Sequence, residues 1–330
     1  MPGVEPVVLL PPGSDIAGPM NDTILALAGG VGGAKLALGL ARVVPPGRLV
    51  ICVNTGDDET FHGLHVCPDL DTVMYTLAGL ANPQTGWGLE GDTFNTLGML
   101  REYGADAWFN LGDQDLATHI QRTDLLRRGA TLSEATADLC RHLGIAHQVV
   151  PMSDDPVRTV LSTDEGELPM QSYFVRRRAE PRVREIRYDG AESARPSPVL
   201  EAALEQARLI VLCPSNPFLS LGPVLALSGV RERLENAKGL RVAVSPIVGG
   251  AAVRGPAAKI MAELGQEVSS VGVARQYRGL CDLFLIDDRD AHLGPAIAEL
   301  GIGPVTASII MNNEADKVAM AERVLALRAG

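Results

Sequence analysis

The run TILALAGGVGGAKLALGLARVVPPGRLVICVN, residues 23–54, constrains the fold more than any other segment. TILALAGG (23–30) is an apolar strand that ends in glycines. AKLALGLARVV (34–44) then carries apolar residues at helical spacing, and RLVICVN (48–54) is a second apolar strand. Strand, glycine turn, helix and strand form the opening unit of a parallel sheet, because two parallel neighbours need a crossover between them. The same rhythm returns in ARLIVLCPSNP (207–217), LRVAVSPIVGG (240–250), RGPAAKIMAELG (254–265), DLFLIDD, PVTASII and the amphipathic EADKVAMAERVLALRAG. The predicted class is α/β: a Rossmann-like parallel sheet flanked by helices.

Between the two halves the pattern changes. Residues 113–145 read as helices. VRTVLST, MQSYFVRRR and RVREIRYDG read as short strands of a β-meander. The expected organisation is a Rossmann-like domain built from 23–112 and 196–330, with a smaller helical and β-meander region, 113–195, inserted. Residues 1–22, rich in Pro and Gly and without the basic start and apolar core of a secretory signal, read as a mobile tail. Two further helices are expected at 69–81 and 91–104, the second capped by Asp92. AWFNLGD (107–113) reads as a short strand, and Asp113 or Asp115 as the cap of the helix after it.

Four polar turns follow sheet strands: Gly29–Gly33, Asn54–Asp58, Ser215–Pro217 and Ser245–Gly250. In an open α/β sheet ligands bind beyond the carboxyl ends of the strands, so these turns are expected to share one edge. GGVGGAK (29–35) fits neither common phosphate motif. Ala34 precedes Lys35 and Leu36 follows it, which breaks a Walker A loop, and Lys35 stands where the dinucleotide fingerprint needs its third glycine. Small residues at a helix N-terminus still let backbone N–H groups approach an anion. The alternative is a glycine-rich tight turn with no ligand.

VNTGDDETFHGLHVCPDLDTVMYTL (53–77) carries Asp57, Asp58, Glu59, Asp69 and Asp71 and no Lys or Arg. Carboxylates crowded about one turn repel each other. A divalent cation relieves that, and Mg²⁺, which prefers oxygen ligands, suits carboxylates beside substrate phosphates. No paired His/Cys spacing suggests zinc, and His62 and His65 read as loop histidines. Asp154 and Asp155, before Pro156, read as turn formers.

The net charge of −11 argues against a nucleic-acid footprint. Five scattered cysteines without a CxxC pair read as reduced thiols of a cytoplasmic protein. No apolar run reaches the length of a membrane span.

Taken together, LAGGVGGAKLALGL, VNTGDDETFHGLHVCPDLDTVMYTLAGL, WGLEGDTFNTL, LGDQDLATHIQRTDLLRRGATLS, PMSDDPVRT, PSNPFLSLGPVLALSGVRE and SPIVGGAAVRGPAAKIM occur in an order that resembles the 2-phospho-L-lactate transferase family of coenzyme F420 biosynthesis, from about residue 24 to about 290. The resemblance implies a Mg²⁺-dependent transfer. A guanosine diphosphate-linked three-carbon acid (lactyl or enolpyruvyl) is the donor, the ribityl hydroxyl of the deazaflavin Fo is the acceptor, and GMP leaves. It also implies a Rossmann-like fold and a homodimer. Carried over by position, Asp71 and Asn110 fall on the deazaflavin side; Asn110 and Gln114 stand where the family often has basic residues. Gly29, Gly30, Gly32, Gly33, Lys35, Ser215, Asn216 and Pro217 fall on the nucleotide side. Asp57, Asp58 and Asp69 are the expected metal ligands and Asp57, Asp58 and Asp71 the catalytic carboxylates, with the division of duties among them open. Two rival readings are a non-catalytic nucleotide-sugar-binding regulator of the same superfamily and a nicotinamide-dependent oxidoreductase.

Overall fold

A computed structural model describes residues 22–329, so most of the tail read at 1–22 lies outside the described residues. Seven strands form one sheet in the order Gly303–Ala307, Leu283–Asp287, Leu240–Val244, Leu209–Leu212, Ile24–Ala28 (β1), Leu49–Val53 (β2), Gln148–Pro151. Every pairing is parallel. The strands are apolar because both faces are covered. Leu25, Leu27, Val50, Cys52, Ile210 and Leu212 pack into one core layer, while Ile24, Ala26, Ala28, Ile51, Val53 and Val211 pack into the other. That alternation is the period of two expected of a strand.

The chain leaves β1 through helix α1 (Val31–Val43) to β2 and on to Gln148–Pro151 at one edge. It then returns to Leu209–Leu212 on the other side of β1 and builds outward to Gly303–Ala307. The order of winding therefore reverses between β1 and Leu209–Leu212. At such a switch point adjacent turns diverge and leave a crevice. Helix Glu314–Ala326 packs on α1, and Gly39 lets the two backbones approach: a Cβ there would collide with the Lys317 carbonyl.

The inserted region differs from expectation in two respects. Gln148–Pro151, inside 113–195, is an edge strand of the main sheet, paired with β2 from Val50↔Gln148 to Val53↔Pro151. Four residues flanked by a helix were too short a signal beside the helical run before them. The rest of the region is two helices and a separate antiparallel sheet ordered Gly166–Pro169, Arg158–Thr163, Val183–Asp189. MQSYFVRRR is not a strand: Ser172–Arg176 form a single π-type turn. The small sheet lies against the carboxyl edge of the large one, where Thr159 N donates to Gly56 O at 2.6 Å and Tyr188 Oη to Phe218 O at 2.8 Å.

Between β2 and the next helix the chain makes a hairpin of β3 (Glu59–Phe61) and β4 (Leu64–Val66). Its two-residue turn is His62-Gly63, both with positive φ, the conformation a tight hairpin requires. Then come α2 (Pro68–Leu77), α3 (Asn95–Glu102) and α4 (Asp115–Arg127). The expected caps of α3 and α4 are exchanged. Asp92 accepts from Gln114 N and Asp115 N at the start of α4, and Asp113 accepts from Asn95 N and Thr96 N at the start of α3. Residues 107–111 form no strand; Phe109 stacks on Phe61 at 4.2 Å between ring centres, with Trp108 edge-on, and this fixes the segment instead.

Candidate active site

The turns after β1, β2 and Leu209–Leu212 meet at the switch point. Gly29 N donates to Ser215 Oγ at 3.1 Å. A Cβ on Gly32 would strike the Pro214 carbonyl, one on Gly33 would crowd Ala28 and Ser215, and one on Gly30 would strike the Asp69 carboxylate. These glycines are required first by the packing of neighbouring turns. At the start of α1 the cap residue Gly30 has no side chain of its own, and its backbone N–H is taken by the Asp69 carboxylate. Asn216 closes its own turn, its Oδ1 accepting from Phe218 N and Leu219 N, and Pro217 is buried beside it. Lys35 points away from the turn to Met311 O at 2.9 Å. Burial, with Lys317 and Arg254 nearby, pushes its ammonium pKa below the usual value.

The carboxylates divide between two sides. Asp57, Asp69 and Asp71 line a cleft of about 200 Å³ with Gly30 and Asn110, walled by Trp87, Phe109 and Phe174. Asn54 Nδ2 ties two of them together, donating to Asp57 Oδ1 at 2.9 Å and to Asp69 Oδ2 at 3.0 Å. Gln171, from the small sheet's turn, donates to Asp57 Oδ2 at 3.0 Å and to Asp57 O at 3.2 Å. Burial first, then the charges of Asp69 and Asp58, raise the Asp57 carboxyl well above the usual range. Burial pushes Asp69 up to about 7, with Asn54 pulling the other way. Such a pair is held close at an electrostatic cost, the condition a cation relieves.

Asp58 turns to the opposite side. It lines a second hollow with Thr55 and His65, and its Oδ2 lies 3.3 Å from His65 Nε2. Burial raises its pKa, and the His65 hydrogen bond only partly offsets that. The expected trio of metal ligands is thus brought together only as Asp57 and Asp69.

Asp71 has a partner from outside its own stretch. Arg122 Nη1 donates to Asp71 Oδ2 at 3.1 Å, and Nη2 pairs with Oδ1. His119 Nδ1 lies 3.6 Å from Asp71 Oδ2, and His119 Nε2 lies 3.2 Å from Asp115 Oδ2. Tyr75 Oη donates to Asp115 Oδ1 at 2.7 Å. Burial opposes the charge on Asp115, but His119, Tyr75 and Arg122 together hold its carboxyl below the usual range. Asp115 therefore does more than start its helix.

Arg122, His119, Asn54 and Gln171 were not singled out by the sequence reading. For two of them a signal was present. Residues 115, 119 and 122 are spaced i, i+4, i+7, and residues 71 and 75 i, i+4, so two polar stripes face each other from α4 and α2. Nothing local marks Gln171, whose partner lies 114 residues away.

A parallel sheet wound outward in both directions from a crevice, with a glycine-rich helix start and paired carboxylates at that crevice, defines an open, doubly wound α/β protein with its candidate site at the switch point. Residues 24–315 match the family model described as 2-phospho-L-lactate transferase CofD, and the chain belongs to that family of transferases. A 2-phospho-L-lactate transferase from Methanosarcina mazei is 40% identical over 302 residues, covering 92% of this chain and 99% of the relative. A phosphoenolpyruvate transferase from Streptomyces griseus is 42% identical over 310 residues, covering 92% and 98%. A solved UPF0052-family protein from Bacillus halodurans shares the fold, with a TM-score of 0.60 at 13% identity over 92% of this chain and 99% of that one.

Proposed function

We propose that this transferase moves a phospho-three-carbon-acid group, 2-phospholactate or enolpyruvyl phosphate, from a guanosine diphosphate-linked donor to the ribityl hydroxyl of the deazaflavin Fo. GMP is released, and the step belongs to coenzyme F420 biosynthesis. The observation that carries the reading is a single cleft lined by Asp57, Asp69, Asp71 and Asn110 and walled by apolar side chains, beside the glycine-rich N-terminus of α1. A flat polycyclic acceptor suits Trp87, Phe109 and Phe174; a diphosphate suits backbone N–H groups at a helix start.

The donor set fits magnesium: Asp57 and Asp69 offer hard oxygens, are drawn together by Asn54, and are pushed up in pKa by burial. Asp57 and Asp69 would hold the ion, which would supply charge to offset the donor phosphates and the departing GMP. Gln171 and Asn54 fix the carboxylates in place. Both oxygens of Asp71 are engaged by Arg122, so Asp71 serves to orient the acceptor, with Asn110 offering an amide at the rim. The ribityl proton then passes to a carboxylate of the Asp57–Asp69 pair. A homodimer in the cytoplasm is part of the same reading, and light scattering tests the first of these.

The experiment is incubation of the purified chain with the lactyl and enolpyruvyl donors, Fo and Mg²⁺. Stoichiometric GMP, and a product of Fo mass plus the phospho-acid, support the assignment. Tight guanine-nucleotide binding without turnover favours the regulator instead.

A further inference from the structure

The hairpin behind the cleft places three unlike ligating groups together. Glu59 pairs with Val66 and Thr60 with His65, so the register continues to Asp58 opposite Cys67. His65 on β4 and Cys67, the residue just past its end, are two residues apart and so lie on one side of the hairpin. The consequence is a cluster in which one carboxylate oxygen of Asp58, one imidazole nitrogen of His65 and the Cys67 sulfur all lie within 4.8 Å of one another.

Two further observations point to a ligand. The Asp58 side chain is 2% exposed, and its Oδ1 is buried with no N–H or O–H donor; apart from His65, the carboxylate meets only the weak S–H donor of Cys67. A buried carboxylate oxygen so poorly satisfied is uncommon and calls for an explanation. The cluster also has an entrance: Asp58 and His65 line a hollow of about 190 Å³ with Thr55, Thr131 and Arg158, on the side away from Asp57 and Asp69.

We propose that Asp58, His65 and Cys67 form a second metal site, which takes a borderline-soft divalent ion, zinc first, and is separate from the hard-oxygen pair in the cleft. One sulfur, one imidazole nitrogen and one carboxylate oxygen is a donor set zinc accepts and magnesium does not favour. Tetrahedral zinc holds such atoms roughly 3.5 Å apart. His65 Nε2 and Asp58 Oδ2 are already at 3.3 Å, and the partly exposed His65 ring can close the rest. The hollow leaves the fourth position to water. Binding releases the Cys67 proton to solvent, and the thiolate and the Asp58 carboxylate balance the ion's charge. Arg122, paired with Asp71, also favours the Cys67 thiolate and the Asp58 carboxylate, the charged forms a metal needs, although its own charge competes with the ion's. Since Asp57 and Asp58 are adjacent, an ion here stiffens from behind the turn that carries Asp57.

Cobalt(II) is the probe. Titrated into the metal-free full-length protein, it should give one equivalent of binding with a near-ultraviolet thiolate-to-cobalt charge-transfer band and intense tetrahedral visible bands, displaced by zinc. His65→Ala should weaken Co²⁺ binding at least tenfold, and Cys67→Ser should abolish the charge-transfer band. Asp69→Asn should leave both unchanged, because it belongs to the other side. Circular dichroism confirms that each variant is folded, and His65→Ala, partly exposed, covers the case in which Cys67→Ser is not. Absence of the charge-transfer band in the wild type, its survival in folded Cys67→Ser, or its loss in Asp69→Asn would overturn the proposal.

Discussion

Arg122, fully buried on α4, holds both carboxylate oxygens of Asp71 on α2. The acidic stretch 53–77 contains no Lys or Arg of its own, and the counter-charge of Asp71 arrives from 51 residues along the chain. Asp71 thereby differs from Asp57 and Asp69, which have only amides for partners.

Breaking this pair should be costly. Arg122→Met leaves the Asp71 carboxylate buried without its cation, and a loss of about 3–5 kcal/mol in unfolding free energy is expected. Asp71→Asn together with Arg122→Met should cost less than the sum of the two single changes, because each alone strands a polar partner. Urea unfolding of the four proteins measures the coupling.

Asp69 sets a pH dependence of known sign. Its folded pKa is raised from the ordinary 3.8 to about 7, chiefly by burial. The folded state therefore binds the proton more tightly than the unfolded state. The associated stabilisation is full below the unfolded value and is lost as pH rises through about 7. In metal-free protein, Asp69→Asn should be more stable than wild type at about pH 8, and this advantage should shrink or reverse at about pH 5. Added Mg²⁺ should stabilise the wild type more at the higher pH. Thermal melts in chelator and in Mg²⁺ check both statements.

Gln171 lines the same cleft and holds the Asp57 carboxylate in place. Gln171→Ala should lower kcat by about tenfold to a hundredfold and raise the Mg²⁺ concentration needed for half-maximal rate, with a smaller change in KM for Fo. Gln171→Glu keeps the shape but sets a further carboxylate against Asp57, so it should not rescue. A KM effect on Fo alone would place Gln171 in acceptor binding instead.

The exchanged caps make α3 and α4 depend on each other. Asp92→Ala should cost about 1 kcal/mol and loosen the start of α4 rather than that of α3. Gly112→Ala should be worse than a loop substitution usually is, since its Cβ would meet the Asp92 carboxylate. Amide hydrogen exchange at Gln114 and Asp115 reads the first effect directly.

The sheet was legible because its strands are apolar runs closed by glycine or proline turns, and the four turns do share one edge. What escaped the sequence was short or non-local. Gln148–Pro151 is four residues long, and His62-Gly63 joins strands of three residues each. Asp92 and Asp113 were each assigned to the following helix, as the local rule prescribes, whereas tertiary packing lets each reach the other's helix. At the site, Asp57, Asp69, Asp71 and Asn110 line one cleft. The separation of Asp58 from Asp57 does not follow from spacing. It follows from the hairpin register, which no count of acidic residues reveals.

The central claim is that Asp57 and Asp69 act as a pair, bridged by Asn54, in transfer to the deazaflavin. The most direct measurement is GMP release from the guanosine diphosphate-linked donor with Fo and saturating Mg²⁺, in wild type, Asp69→Asn and Asp58→Asn of verified fold. The account predicts steady turnover in the wild type, a loss of about a hundredfold or more in Asp69→Asn, and a clearly smaller loss in Asp58→Asn. Equal turnover in wild type and Asp69→Asn, or a larger loss in Asp58→Asn, would contradict it.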